Sequence, residues 1–279
     1  MTDYLGVLPF LIYLGIFLIY PTLLVMVGAF HDDAGKPSTA NIREVTRGVY
    51  LEAFVRSIEL SATTTLIGMV LGSLLAWAVS TGKPDGLLRR VVGSVCGALA
   101  QFGGVTLTFA FIATFGLTGL VTQFLKDNLG IDLFANGVWL FELPGLILVY
   151  SYFQIPLMVI VFLPALEGLR PQWREAVQSL GGSTWRYWRH VAAPVLMPSF
   201  LGAGLLLFAN AFSAYATAAA LVSQGSPIVP LQIRGFLVSE VLLGRQNLGK
   251  ALGLSMIVVV AVVMVLYALL LRRAARWLK

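Results

Sequence analysis

Six long apolar stretches decide what this chain can fold into. Residues 4–30, 56–80, 91–115, 144–166, 195–222 and 251–271 are overwhelmingly apolar, and each matches the roughly 20 residues that carry a helix across a bilayer core. Of the whole chain, 58% is hydrophobic and 11% charged, against roughly a quarter charged in soluble domains. Such a composition cannot clothe a water-facing surface. The expected fold is an all-α polytopic membrane protein with six transmembrane helices, forming a single domain over residues 1–279. The first stretch is too long for a signal-peptide core, and no small-residue cleavage site follows it, so it is expected to remain as the first span.

Charge orients the spans. The turn at 82–90 and the tail from Arg272 to Lys279 are rich in Lys and Arg, as is the segment between the fourth and fifth spans. Basic loops stay on the cytoplasmic side, so both termini are expected inside. The net charge of +6 is then an orientation signal, not a nucleic-acid footprint. A lone cysteine, Cys96, excludes a disulfide within the chain and any cysteine metal cluster. No phosphate-binding loop, G-x-S-x-G or H-E-x-x-H occurs. No catalytic residue and no metal site are expected.

Polar residues at membrane depth mark either helix contacts or a cavity. Gln101, Thr106 and Thr108 sit in the third stretch, with Gly103-Gly104 beside them. Tyr150, Tyr152, Gln154 and Pro156 sit in the fourth, and Asn210, Ser213, Tyr215 and Thr217 in the fifth. Gln101, Thr108, Tyr152, Gln154, Asn210, Ser213 and Tyr215 are the candidates for a solute pathway. Gly68 and Gly72 offer a small-xxx-small face on the second stretch. Glu59 is an ionisable group near membrane depth, with Arg56 in reach to pair with it. The polar stretch after Asn41 and residues Thr122 to Leu129 are expected to form short helices outside the membrane.

The segment 169–194 is the long polar insertion between apolar runs in the C-terminal half. Pro171 suits a helix start, Gly181-Gly182 a hinge between two short helices, and Pro194 the opening of the next. Arg174, Arg186, Arg189 and His190 make it basic, and Trp185, Tyr187 and Trp188 give it large aromatic faces.

This segment resembles the EAA loop of permease subunits of binding-protein-dependent type I ABC importers. The family pattern runs Glu-Ala-Ala-x-x-x-Gly and ends in a branched apolar residue, any residue, Leu and Pro. Glu175, Ala176, Gly181, Val191 and Pro194 fall at those spacings, while Val177 and Ala193 depart from it. The run Leu180-Gly181-Gly182-Ser183-Thr184 is most similar to the spermidine/putrescine and ferric-iron branch. The resemblance implies a cytoplasmic coupling helix that docks on a separate ATPase, with Glu175, Ala176, Leu180, Gly181, Trp185, Trp188 and Pro194 as coupling residues. Glu175 would bond a basic residue of that ATPase, Gly181 would let the two short helices pack closely, and Leu180, Trp185 and Trp188 would be apolar knobs. It also implies a bacterial inner membrane, a second and non-identical permease, two ATPase subunits holding ATP and Mg, and an extracytoplasmic binding protein. No cofactor would be bound by this chain, and lipid rather than nucleic acid would surround it. A small polar solute is expected, a polyamine-like organic cation being favoured. The rival is a stand-alone secondary transporter, which would require intramembrane coupling carboxylates and an inverted repeat; Glu59 alone stands in such a position.

Overall fold

The computed structural model describes residues 3–32, 34–82, 86–135, 137–222, 228–238 and 245–275. Lys83 to Asp85 of the basic turn, Pro227 and Glu240 of the last polar segment, and Arg276 to Lys279 of the tail lie outside the described residues. Helices run in the order α1 Asp3–Leu14, α2 Tyr20–Ala29, α3 Ala40–Val45, α4 Gly48–Ser80, α5 Leu87–Gln101, α6 Gly104–Phe115 and α7 Leu120–Leu129. They continue with α8 Leu143–Glu167, α9 Pro171–Ser179, α10 Thr184–Tyr187, α11 Ala193–Ser213, α12 Ala216–Leu221, α13 Val229–Val238 and α14 Gln246–Ala275. Among the described residues six helical stretches are long and apolar enough to cross a membrane, so the fold is all-α with six such helices.

Two stretches differ from the unbroken spans that their hydropathy suggests. The third is interrupted between α5 and α6 at Phe102-Gly103, and Gly104 takes φ +73°, a left-handed conformation that glycine adopts without a Cβ clash. The fifth begins earlier than residue 195: one helical run extends from Thr184 to Ser213. It then breaks at Ala214, whose backbone is extended, before α12.

Two π-turns share one cause. Gly15–Ile19 precedes Pro21, and Trp188–Ala192 precedes Pro194. Proline has no N–H to give and its ring crowds the carbonyl one turn back. Widening the preceding turn relieves that crowding while the helix stays continuous. Pro156 and Pro164 are carried inside α8 without breaking it.

The contacts within residues 1–279 cluster into two compact units, Met1–Arg56 with Ser226–Ala261, and Ser57–Gly225 with Val262–Lys279. In the first, Arg245 holds Glu44 through two short bonds, and Asn247 Nδ2 donates to Asp32 O at 2.8 Å. Arg56 pairs with Glu52 at 2.9 Å rather than with Glu59: the i,i+4 spacing brings the longer arms together.

The second unit has its core where α4, α5, α8 and α11 meet, around Ala76, Cys96, Met158, Phe162, Leu196 and Leu207. Small residues set its spacing. A Cβ on Gly72 would lie 2.5 Å from Met158 Cβ and 2.7 Å from Ile155 O, and one on Gly68 2.8 Å from Leu207 Cδ2. Close backbone approach of this kind is how helices gain contact in lipid, where burial itself drives little. Gly72→Leu should therefore lower the thermal stability of the solubilised protein, by about 1–3 kcal/mol for an overpacked contact. Gly97→Leu, where a Cβ meets nothing within 4 Å, should leave the melting curve in place.

Candidate functional site

The loop between α8 and α11 is built as two short helices with a defined joint. Pro171 occupies the start of α9, where its missing N–H is no loss. At the far end Gly182 N–H donates to Val177 O at 2.8 Å and Gly181 N–H to Gln178 O at 2.9 Å. That pair of bonds is a Schellman closure, which needs its penultimate residue in the left-handed region; Gly181 supplies it at φ +75°. Ser183 then caps α10, its Oγ accepting from Arg186 N–H at 3.3 Å.

The two glycines divide the work differently from what the motif implies. A Cβ at Gly181 would meet nothing within 4 Å, so that residue is required by its backbone angle and not by close packing. Close approach belongs to Gly182, where a Cβ would come within 2.5 Å of Val177 Cγ1.

Side chains of the loop fall into two groups. Leu180 and Trp185 are 87% and 72% exposed. Open grooves of about 350 and 280 Å³ flank Leu180, one bordered by Val177, Arg186 and Val191, the other by Trp173, Ala176 and Val195. Trp188 belongs to the second group. It packs against the core and meets Trp77 edge-on at 6.4 Å, so it anchors the loop instead of being presented by it. Glu175 is exposed and enters no ion pair among the described residues. It lies past the first turn of α9, where the helix dipole has largely faded, so neither the dipole nor an ion pair among the described residues offsets its charge. Pro194 opens α11, but in a helical run that already starts at Thr184.

The pathway candidates also separate. Thr108 is fully buried, and its hydroxyl reaches Gly104 O and Thr217 O, both at 3.1 Å, while Gly104 N–H donates to Thr217 Oγ1 at 3.0 Å. Gln154 is fully buried and donates from Nε2 to Leu207 O at 2.8 Å. These two brace helices and do not line a path in this conformation. Their burial, which hydropathy cannot reveal, decides that. Gln154 Oε1 has no partner among the described residues. Tyr152 is half-buried, edge-on to Phe111 at 5.6 Å. Gln101 ends α5 and is exposed, as are Asn210 and Ser213 near the end of α11, the Ser213 hydroxyl donating to Ala209 O at 2.9 Å. Tyr215 is half-buried at the start of α12. Exposed polar groups thus gather at the two places where the helices break.

No family model matches the chain. It is 25% identical over 200 residues to a putative ferric transport system permease protein of Haemophilus influenzae, covering 69% of this chain and 30% of that one. It is 24% identical over 173 residues to the molybdenum transport system permease protein of Escherichia coli K12, covering 62% and 72%. The chain therefore spans about 30% of the length of the ferric relative. Among solved structures, a bacterial ABC transporter involved in the import of alginate matches 98% of this chain and 95% of its own, with TM-score 0.78 at 19% identity. A bacterial alginate ABC transporter in complex with an alginate pentasaccharide-bound periplasmic protein matches 98% of this chain and 94% of its own, with TM-score 0.73 at 19% identity. This is the fold of an ABC importer's membrane subunit. The resemblance drawn from the EAA loop is matched in both comparisons, since the relatives are transport system permeases, the ferric branch among them.

Within that fold, Trp77 and Gly182 carry contacts that the motif did not single out, and Val177, which stands only as a departure from the motif, closes against Gly182. A tryptophan close to the end of an apolar stretch was the available signal for Trp77. Val177 is visible only once the Schellman closure places it against Gly182.

The closure itself is testable by amide exchange. A β-branched side chain in the left-handed region costs about 1–2 kcal/mol, so Gly181→Val should raise exchange of the amides at 176–182 roughly tenfold. Gly181→Asn, which tolerates that region, should change it far less. Equal protection in the valine variant would show that the joint does not depend on the positive φ.

Proposed function

We propose that the chain is a permease subunit of an ABC importer, forming part of a translocation path and driven by ATP hydrolysis in a separate subunit. The observation that carries this reading is the loop: a closed two-helix joint presents Leu180 and Trp185 outward and continues without interruption into α11. A force applied at the loop is thereby delivered along a membrane-crossing helix. Glu175, Ala176, Leu180 and Trp185 form the docking face for the ATPase. Gly181 and Pro194 shape the lever, and Trp188 seats it. This assignment leaves ATP and Mg to the partner.

The remaining partners follow from the same reading: a second permease, two ATPase subunits and an extracytoplasmic binding protein. The alginate transporter captured with a periplasmic protein supports the last of these. The protein would sit in a bacterial inner membrane with both termini and the 169–194 loop in the cytoplasm, the basic residues of the loop supplying the orientation. Gln101, Tyr152, Asn210, Ser213 and Tyr215 stay as pathway candidates. For the solute, the names of the relatives point to ferric iron, molybdate, sulfate or trehalose. None is a polyamine, so that preference lacks support. A small polar solute is the coarser reading, with ferric iron first because the loop resemblance and the relatives share that branch.

Two experiments test the reading. A cysteine at Ser183 should be shielded from impermeant thiol reagents in intact cells and labelled after permeabilisation; labelling of intact cells inverts the topology. Glu175→Gln removes a charge without changing size, and a charge-assisted bond is worth about 1.5–3 kcal/mol. We expect weaker retention of the ATPase on purification and lower solute uptake, with Glu175→Lys more severe. Wild-type complex yield and uptake in the lysine variant would reduce Glu175 to a solvated helix residue.

A further inference from the structure

In the unit that contains Met1–Arg56, the polar stretch between α2 and α4 forms an open groove of about 520 Å³. Ala40, Arg43, Glu44, Arg47, Gly48 and Tyr50 make up most of its lining. Ala40 and Gly48 bring little side chain to it, which leaves the space to the longer residues. Arg43 and Arg47 stand four positions apart at the end of α3, a spacing that puts two side chains on one face. Both are exposed, and among the described residues neither enters an ion pair.

The one acid of the groove does not offset them. Both carboxylate oxygens of Glu44 accept from Arg245 Nη2, at 2.5 and 2.6 Å. Three guanidinium charges against one carboxylate leave the groove and its border at +2. The support beneath it is braced. Glu44 and Arg245 tie α3 to the start of α14, 201 residues on, and the buried Asn41 donates to His31 O at 2.9 Å. The Tyr50 ring is seated against Phe236 at 5.9 Å. A guanidinium presents a planar fork of donors that matches a carboxylate two bonds at a time. Two such forks, held side by side without an acid of their own, select carboxylates from whatever approaches.

We propose that this groove is a docking surface for acidic side chains of the extracytoplasmic binding protein. The identity of the partner rests on the importer reading and the orientation given above, which place residues 31–51 outside, across the membrane from the ATPase loop. On that side the binding protein is the soluble partner, and the charge of the groove states which part of its surface docks here. Charges at the rim of an interface act on encounter and orientation more than on raw affinity. That suits a partner that must dock and leave in every cycle. Through Glu44 and Arg245, the docked protein bears on α14, one of the helices able to cross the membrane.

The test uses the full chain in its purified complex, in phosphatidylcholine nanodiscs, with two probes. A fluorescent hexaglutamate peptide should bind saturably, and more weakly as salt rises. Arg43→Gln with Arg47→Gln should weaken that binding about tenfold, the sum of two modest exposed charge pairs. Arg186→Gln with Arg189→Gln, in the loop between α8 and α11, should leave it unchanged, which separates the groove from a general attraction to a basic chain. The second probe is the solute-loaded binding protein, read by its stimulation of ATP hydrolysis. Arg43→Glu with Arg47→Glu should raise its half-saturating concentration about tenfold or more, since like charges then meet. The ATPase rate without binding protein should stay as it was, and Arg43→Lys with Arg47→Lys should restore most of the docking. An unchanged half-saturating concentration in the glutamate variant overturns the docking surface while the importer reading stands. Should no binding protein stimulate the wild-type complex, the importer reading fails instead and the peptide decides the groove: absent binding, or equal binding by the glutamine variant, overturns it. Displacement of the peptide by phosphatidylglycerol in the bilayer gives the groove to a lipid headgroup and overturns the docking assignment.

Discussion

A backbone amide or carbonyl left without a partner in hydrocarbon costs several kcal/mol, and there is no water to take its place. This constraint governs the second unit of the molecule. Its helices break at membrane depth in two places, Phe102-Gly103 and Ala214-Tyr215, and side chains from neighbouring helices close over both. Thr217 accepts from Gly104 N–H, Thr108 reaches back to Gly104 O and Thr217 O, and the Tyr150 hydroxyl donates to Ala214 O at 2.7 Å. Irregular backbone is tolerated inside a membrane protein where protein or a cavity faces it. Here protein faces one side of each break, and the exposed Gln101, Asn210 and Ser213 lie at the others.

The same constraint explains how proline is used. Both π-turns keep a helix whole across a proline that would otherwise strand a carbonyl. The one before Pro194 lies where the loop joins α11, the joint on which the proposed coupling role depends. A lever that frayed there would absorb force as local unwinding. A widened but continuous helix passes it on, and Trp188, seated against Trp77 and the core, resists rotation at that point. Under the proposed coupling role, rigidity at the joint would keep the lever stiff and the exposed Leu180 would give an ATPase a surface to grip.

Tight glycine contacts make the packing around the lever discrete. Gly68 and Gly72 hold α4 against α8 and α11 at distances where a methyl group would collide, and Gly204 does the same beneath Met69. Side chains packed at such distances move between alternative arrangements rather than deforming smoothly.

Much of this was legible in the residues. Apolar length alone set the number of membrane-crossing helices and the class of fold, because lipid forces each such stretch to satisfy its own backbone. The spacing of Glu175, Gly181 and Pro194 marked the loop and its relatives, because short-range rules of capping and helix opening act on neighbours in sequence. Tertiary structure decided the rest. Thr108 and Gln154 read as pathway residues until burial made them braces, and Trp188 read as a presented knob until Trp77 and α8 enclosed it. Gly181 appeared to permit close packing, whereas Gly182 does so. For Thr108, Gln154 and Trp188 the deciding contact joins residues far apart in the chain, which local periodicity does not encode; for the two glycines it is the backbone angle and register of the closure that assign the roles.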